Sequence, residues 1–124
     1  MAAPRPGSPV RGSRSGRPVM ALLDLLGRRW ALRILWELRE AAPLSFNALQ
    51  RACGRLSPSV LSQRLMELSE SGLIEQDPKG RYRPTPLAAD LEVPLLALDG
   101  FAKRWARRRQ PASQGAAATR RRAG

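Results

Sequence analysis

The chain has no histidine, one cysteine and few aromatic residues: 3 Trp, 2 Phe and 1 Tyr among 124 positions. Without histidine, neither a Ser-His-Asp triad nor a His-based zinc site can be built. A single cysteine closes no disulfide within the chain, which fits a reducing, cytoplasmic setting. A phosphate-binding glycine loop is also absent. The few carboxylates fall mostly at helix-surface positions, where solvated charge is the ordinary role. The sequence therefore disfavours an enzyme and implies no cofactor. The longest apolar run, Val19 to Leu23, is far short of the ~20 residues that span a bilayer. The N-terminus has no apolar signal-peptide core. Neither a membrane partner nor export is expected. With so few aromatic residues, the core must be built from Leu, Val, Ile and Ala, which favours one small, mainly helical domain.

Arginine is what the chain has in excess, and its placement matters more than its total. The formal net charge is +12. Residues 1–17 carry Arg5, Arg11, Arg14 and Arg17 and no acid; residues 103–124 carry Lys103 and seven arginines and no acid. The segment 18–102 holds ten cations and ten carboxylates. The whole excess thus lies in the flanks, and the centre is neutral. Residues 1–17 and 110–124 are rich in Pro, Gly, Ser, Ala and Arg and are expected to be disordered basic tails. Such tails either hold phosphates non-specifically or act as solvated, solubilising segments.

The pattern between the tails is regular. Val19, Leu22, Leu23 and Leu26 form a helical stripe that Gly27 can end, with Met20 and Leu25 off it. A second helix is expected from about Arg29 to Glu40, burying Trp30, Ile34, Leu35 and Leu38, with Pro43 as its stop. Ser45 can cap a third helix whose Phe46, Leu49 and Cys53 share a side with Leu56, and Gly54 permits a tight turn. Ser57-Pro58 pairs a side-chain cap with a proline whose missing N–H costs nothing, opening a helix to about Ser71 that Gly72 can close. Leu73 to Asp77, the turn Pro78-Lys79-Gly80 and Arg81 to Arg83 read as a hairpin. Thr85-Pro86 repeats the cap-plus-proline signal before a helical region to about Arg107, with Leu87, Leu91, Leu95, Leu98, Ala102 and Trp105 roughly in line. Pro94 must kink that region or divide it.

Two closely joined helices followed by a hairpin are the layout of a winged helix-turn-helix, whose second motif helix can enter the major groove of double-stranded DNA. The expected fold is mainly α with a small β-hairpin wing over 73–84, in one domain over 18–109. At 100° per residue, Leu61, Leu65 and Leu68 share the buried arc of the 58–71 helix. Ser59, Gln63, Met66 and Glu70 lie opposite, with Ser62 close by. Ser and Gln can donate to phosphates or base edges, and Met can contact a thymine methyl. Arg64 lies nearer the buried arc, where it either reaches a phosphate from the edge or pairs internally. Glu67 and Glu70 would repel phosphate, so the N-terminal half should make the contacts. Lys79, Arg81 and Arg83 on the hairpin could hold the adjacent backbone or minor groove. With Ser45, Asn47 and Ser57 at the two helix starts, these residues complete the candidate DNA-binding set. Cys53, on an apolar face, reads as core and not as a sensor.

These residues resemble the HxlR-type winged helix-turn-helix transcriptional regulators of bacteria, relatives of the MarR-type proteins. The matching pieces are Leu26-Gly27-Arg28-Arg29-Trp30, Ile34-Leu35-Trp36-Glu37-Leu38, Ser45-Phe46-Asn47-Ala48-Leu49, Leu56 through Leu68, and Ser71-Gly72-Leu73-Ile74. The resemblance covers roughly residues 18–106. The resemblance implies a homodimer through the first and last helices, placing two recognition helices in successive major grooves of a two-fold symmetric operator. Many relatives carry a cysteine just before the proline that opens the first helix, and some use it to sense oxidants; here that place is Arg17. Ser45 and Ala48 replace the family's Arg and Glu around Phe-Asn, and the wing is short. No effector is indicated. Two other readings remain open: a winged-helix protein-interaction module without specific DNA binding, and a basic nucleic-acid packaging protein acting through its tails.

Overall fold

A computed structural model describes residues 3–7 and 16–109. The expected tail over 110–124 lies outside these residues, as does most of the one over 1–17. Contacts divide the chain into two compact units, Met1–Asp90 and Leu91–Gly124.

The first unit holds four helices and a hairpin: α1 (Pro18–Leu26), α2 (Ala31–Ala41), α3 (Phe46–Ala52), α4 (Pro58–Glu70), β1 (Ile74–Gln76) and β2 (Tyr82–Pro84). α2 packs against α1, α3 and β2, while α4 packs against β1. Ile34, Leu38, Leu49, Cys53, Leu61 and Leu68 are completely enclosed. Each such aliphatic side chain contributes about 1.5–3 kcal/mol by leaving water.

The caps form where the sequence places them. The Ser45 hydroxyl accepts from the Ala48 N–H at 3.1 Å, and that of Ser57 accepts from the Val60 N–H at 3.2 Å. Each satisfies a donor that the first helical turn leaves unpaired. Gly72, at φ 81°, takes the left-handed position after α4. β1 and β2 pair antiparallel with Glu75 opposite Arg83. β1 is shorter than expected and β2 begins one residue later, because Asp77 and Arg81 close the turn: the Asp77 N–H donates to the Arg81 carbonyl at 2.8 Å, and the Arg81 N–H to the Asp77 carboxylate at 2.9 Å. The other edge of β2 is also engaged: the Leu44 and Tyr82 N–H groups donate to each other's carbonyls at 2.9 and 2.7 Å. The extended link before α3 thereby joins the wing.

Two expectations change. On α1 the enclosed residues are Ala21 and Leu25, whereas Val19 and Leu23 are exposed. The helix is apolar almost all round, so periodicity alone did not select the face that packs on α2. Trp30 is not on the buried face of α2. It precedes the helix at φ 78°, in the left-handed region, and Ala31 takes the enclosed position.

Thr85 caps the short 3-10 helix Leu87–Leu91, its hydroxyl accepting from the Ala88 N–H at 3.2 Å and donating to the Gly72 carbonyl at 2.6 Å. The second unit contains α5 (Glu92–Arg109). Pro94 therefore falls in the first turn of a helix, where its lack of an N–H breaks no ladder bond; the expected division occurs at Leu91. Val93, Leu96, Leu98, Phe101 and Trp105 of α5 are exposed, and Lys103 pairs with Asp99 at 3.2 Å. Among the described residues, no helix is long and apolar enough to cross a membrane, and no group of three or more Cys, Asp or Glu could hold a metal.

Candidate nucleic-acid interface

α4 is capped at its start and fixed along one side by Leu61, Leu65 and Leu68. Its opposite side is bare: Ser59, Ser62, Ser69 and Glu70 are exposed, and Met66 is 47% exposed. At about 100° per residue these positions cover one arc of the helix. Ser59 lies 3.4 Å from Ser57, hydroxyl to hydroxyl, so both oxygens cluster at the N-terminal end. Free N–H groups and the positive end of the helix dipole favour an anion there. Ser45 and Asn47, at the start of α3, are also exposed.

The flank of α4 next to this arc is occupied by a polar network centred on Glu67, which is only 2% exposed. Gln63 Nε2 donates to Glu67 Oε2 at 2.9 Å. Arg64 reaches Glu67 Oε1 at 3.2 Å and donates through Nε to the Arg29 carbonyl at 2.8 Å. Arg28 approaches Glu67 at 3.0 Å and Asp24 at 3.1 Å. The corner between α1 and α2 is thereby tied to α4. A cleft of about 430 Å³ opens beside the network, between Leu23 and Asp24 of α1 and Gln63 of α4.

This arrangement resolves the alternative left open for Arg64, which pairs internally. It also corrects the role expected for Glu67. The carboxylate is enclosed and matched by two guanidinium groups, so it presents no bare charge to a phosphate. Gln63 stands at the edge of the exposed arc, half-buried, with its amide oriented by Glu67.

The hairpin cations divide. Arg81 Nε donates to Asp77 Oδ2 at 2.9 Å, and Arg83 Nε to Glu75 Oε2 at 2.9 Å. Lys79, at the tip, is exposed and forms no ion pair among the described residues. Asp77 also accepts the N–H groups of Lys79 and Arg81, both at 2.9 Å. The Arg81 N–H is the largest influence holding its carboxyl below the usual range, followed by the Lys79 N–H and the Arg81 guanidinium, while burial opposes them. Cys53 is enclosed, and burial pushes its thiol up. It is a core residue held in the poorly nucleophilic protonated form.

The sequence reading missed Arg28, which lies between α1 and α2 and bridges Asp24 to Glu67 of α4, and two exposed arginines, Arg51 in the last turn of α3 and Arg55 in the turn after it. Arg55 adopts φ 63° directly after Gly54 at φ 76°. Their signal in the sequence is the basic composition of the segment Arg51-Ala52-Cys53-Gly54-Arg55.

The HxlR-like helix-turn-helix family matches residues 25–110, most of the described chain. The chain belongs to that family. It is a transcriptional regulator and not an enzyme. An uncharacterised HTH-type transcriptional regulator of Halalkalibacterium halodurans is 34% identical over 80 residues, covering 60% of this chain and 70% of the relative. The uncharacterised HTH-type regulator YdzF of Bacillus subtilis is 36% identical over 76 residues, covering 61% and 67%. Among solved structures, quinone-bound YodB of B. subtilis superposes with a TM-score of 0.63 at 23% identity, over 69% of this chain and 94% of that one. Its reduced form gives 0.60 at 24% identity, over 67% and 86%. These two likenesses concern the fold, a winged helix-turn-helix.

Proposed function

We propose that this HxlR-family regulator binds a two-fold symmetric operator as a homodimer in the bacterial cytoplasm, with α4 in the major groove and the 73–84 hairpin beside it. The observation that carries the reading is the bare polar arc of α4 on a helix otherwise locked into a core. Ser59, Ser62 and Met66 are the central candidate readers and Gln63 the edge reader, with Ser45, Asn47 and Ser57 placed for backbone contacts. Dimerisation is supported by apolar side chains that α1 (Val19, Leu23) and α5 (Val93, Phe101, Trp105) each leave in water. Such large apolar side chains are the usual material of an interface.

In vitro selection from random duplex DNA tests the reading. It is expected to return one site with two-fold symmetry. Met66→Ala should cost about 1–3 kcal/mol at that site, relaxing one base position, with little change on random duplex. A uniform loss on all sequences would remove Met66 from the readout. Recovery of no preferred site would favour the interaction-module reading, to which the internally paired wing arginines are better suited.

A further inference from the structure

The neutral segment 18–102 must still hold a polyanion if α4 is to read DNA, and the structure shows how few of its ten cations are at liberty. Arg28, Arg33, Arg64, Arg81 and Arg83 are in ion pairs. Arg29 and Arg39 lie over the rings of Trp30 and Trp36. Among the described residues of this segment, the side chains of Arg51, Arg55 and Lys79 enter no ion pair, hydrogen bond or ring contact. All three are exposed.

Arg51 is in the last turn of α3, and Arg55 follows four residues later, two before the Ser57 cap of α4. The turn between them is firmly held. The Arg55 N–H donates to the Gln50 carbonyl at 2.8 Å, and Gln50 Nε2 donates to the Leu56 carbonyl at 2.9 Å. The backbone of Arg55 is thus fixed at φ 63°, a conformation that glycine adopts more readily than a residue with a Cβ. Nothing within the described chain compensates for an arginine there, because its guanidinium makes no bond. A strained residue with an unused charge, at the end of the motif that faces DNA, is best explained by a partner outside the chain.

We propose that Arg51 and Arg55 are the phosphate grip of the helix-turn-helix, holding the DNA backbone beside the N-terminal end of α4, with Lys79 at the wing tip as the second point of attachment. This rests on the reading of α4 as the DNA-reading helix and names the residues that supply its affinity. Arg81 and Arg83, expected from sequence to serve this purpose, would each have to leave a carboxylate to do so.

The test measures affinity against salt for the full chain, using the selected site and a random duplex of equal length. Arg55→Gly removes the charge and relieves the backbone together. It should leave the melting temperature unchanged or raised and weaken binding to both duplexes about tenfold. It should also flatten the slope of log affinity against log salt by about one for each phosphate no longer neutralised. Arg51→Gln should act in the same direction. Arg55→Lys should restore the slope, and Arg83→Gln should barely move it. If Arg55→Gly and Arg51→Gln bind with the wild-type affinity and slope while the wild type still prefers its site, the grip is overturned and the reading of α4 stands. If the wild type prefers no sequence but Arg55→Gly still flattens the slope, the grip stands and sequence readout fails. A wild type that binds no DNA overturns both.

Discussion

Asp77 shows how much of the wing depends on one side chain. Its carboxylate receives two backbone N–H groups and the Arg81 guanidinium, so the tight Pro78-Lys79-Gly80 turn is closed around a charge. Because the folded carboxyl is held below its ordinary value, near 3.9 in an unfolded chain, the interaction stabilises the fold fully above that value. It is lost as pH falls through the lower folded value. Asp77→Asn should therefore lower the melting temperature at neutral pH, with the difference from wild type shrinking as pH falls and vanishing in strong acid. Thermal melts across that range check it; a constant difference at every pH would mean that the charge is not what matters. The aspartate could be read as a turn residue, but its three donors could not, since two are backbone groups whose direction exists only once the hairpin has formed.

At the scale of elements, local signals were legible and tertiary ones were not. Ser45, Ser57 and Thr85 cap as the sequence implies, since a cap is settled by neighbours three residues away. The buried arc of α4 also follows from spacing, because Leu61, Leu65 and Leu68 stand against polar residues. α1 offered no such contrast, and its packed face emerged only with α2 in place. Glu67 is the clearest miss: on the helix alone it is a surface acid, and its burial is created by the α1–α2 corner. Glu67→Ala should destabilise the protein by roughly 3 kcal/mol. That is the low end for breaking a buried pair, because Arg28 and Arg64 retain some access to water. Glu67→Asp should lose less. Urea titration measures both, and a change below about 0.5 kcal/mol would show that the network does not hold α4 in place.

For the whole molecule, charge and apolar surface are allotted to different places. The central segment is electrically balanced, the excess of arginine lies in the flanks, and α5 carries large apolar side chains in water next to a basic end, Arg107, Arg108 and Arg109. If those apolar groups form the dimer contact, Phe101→Glu should weaken self-association at least tenfold, as expected from the transfer energy of one aromatic side chain. It should also cut affinity for the two-fold site far more than for a half-site. Sedimentation equilibrium and half-site titrations read the two effects. An undiminished dimer would exclude α5 as the contact. The fold and family could be read from linear motifs, whereas an interface could only be inferred by analogy, since an apolar helix face looks the same whether its cover is its own chain or another.

The pair of backbone bonds between Leu44 and Tyr82 has a mechanical consequence. Leu44 leads directly into the Ser45 cap of α3, and Tyr82 lies on the return strand of the hairpin. A pull on the wing is therefore transmitted to the front of the helix-turn-helix without passing through any side chain. The hairpin is thus coupled to the helices through main chain alone, and the two move as one tool with two edges.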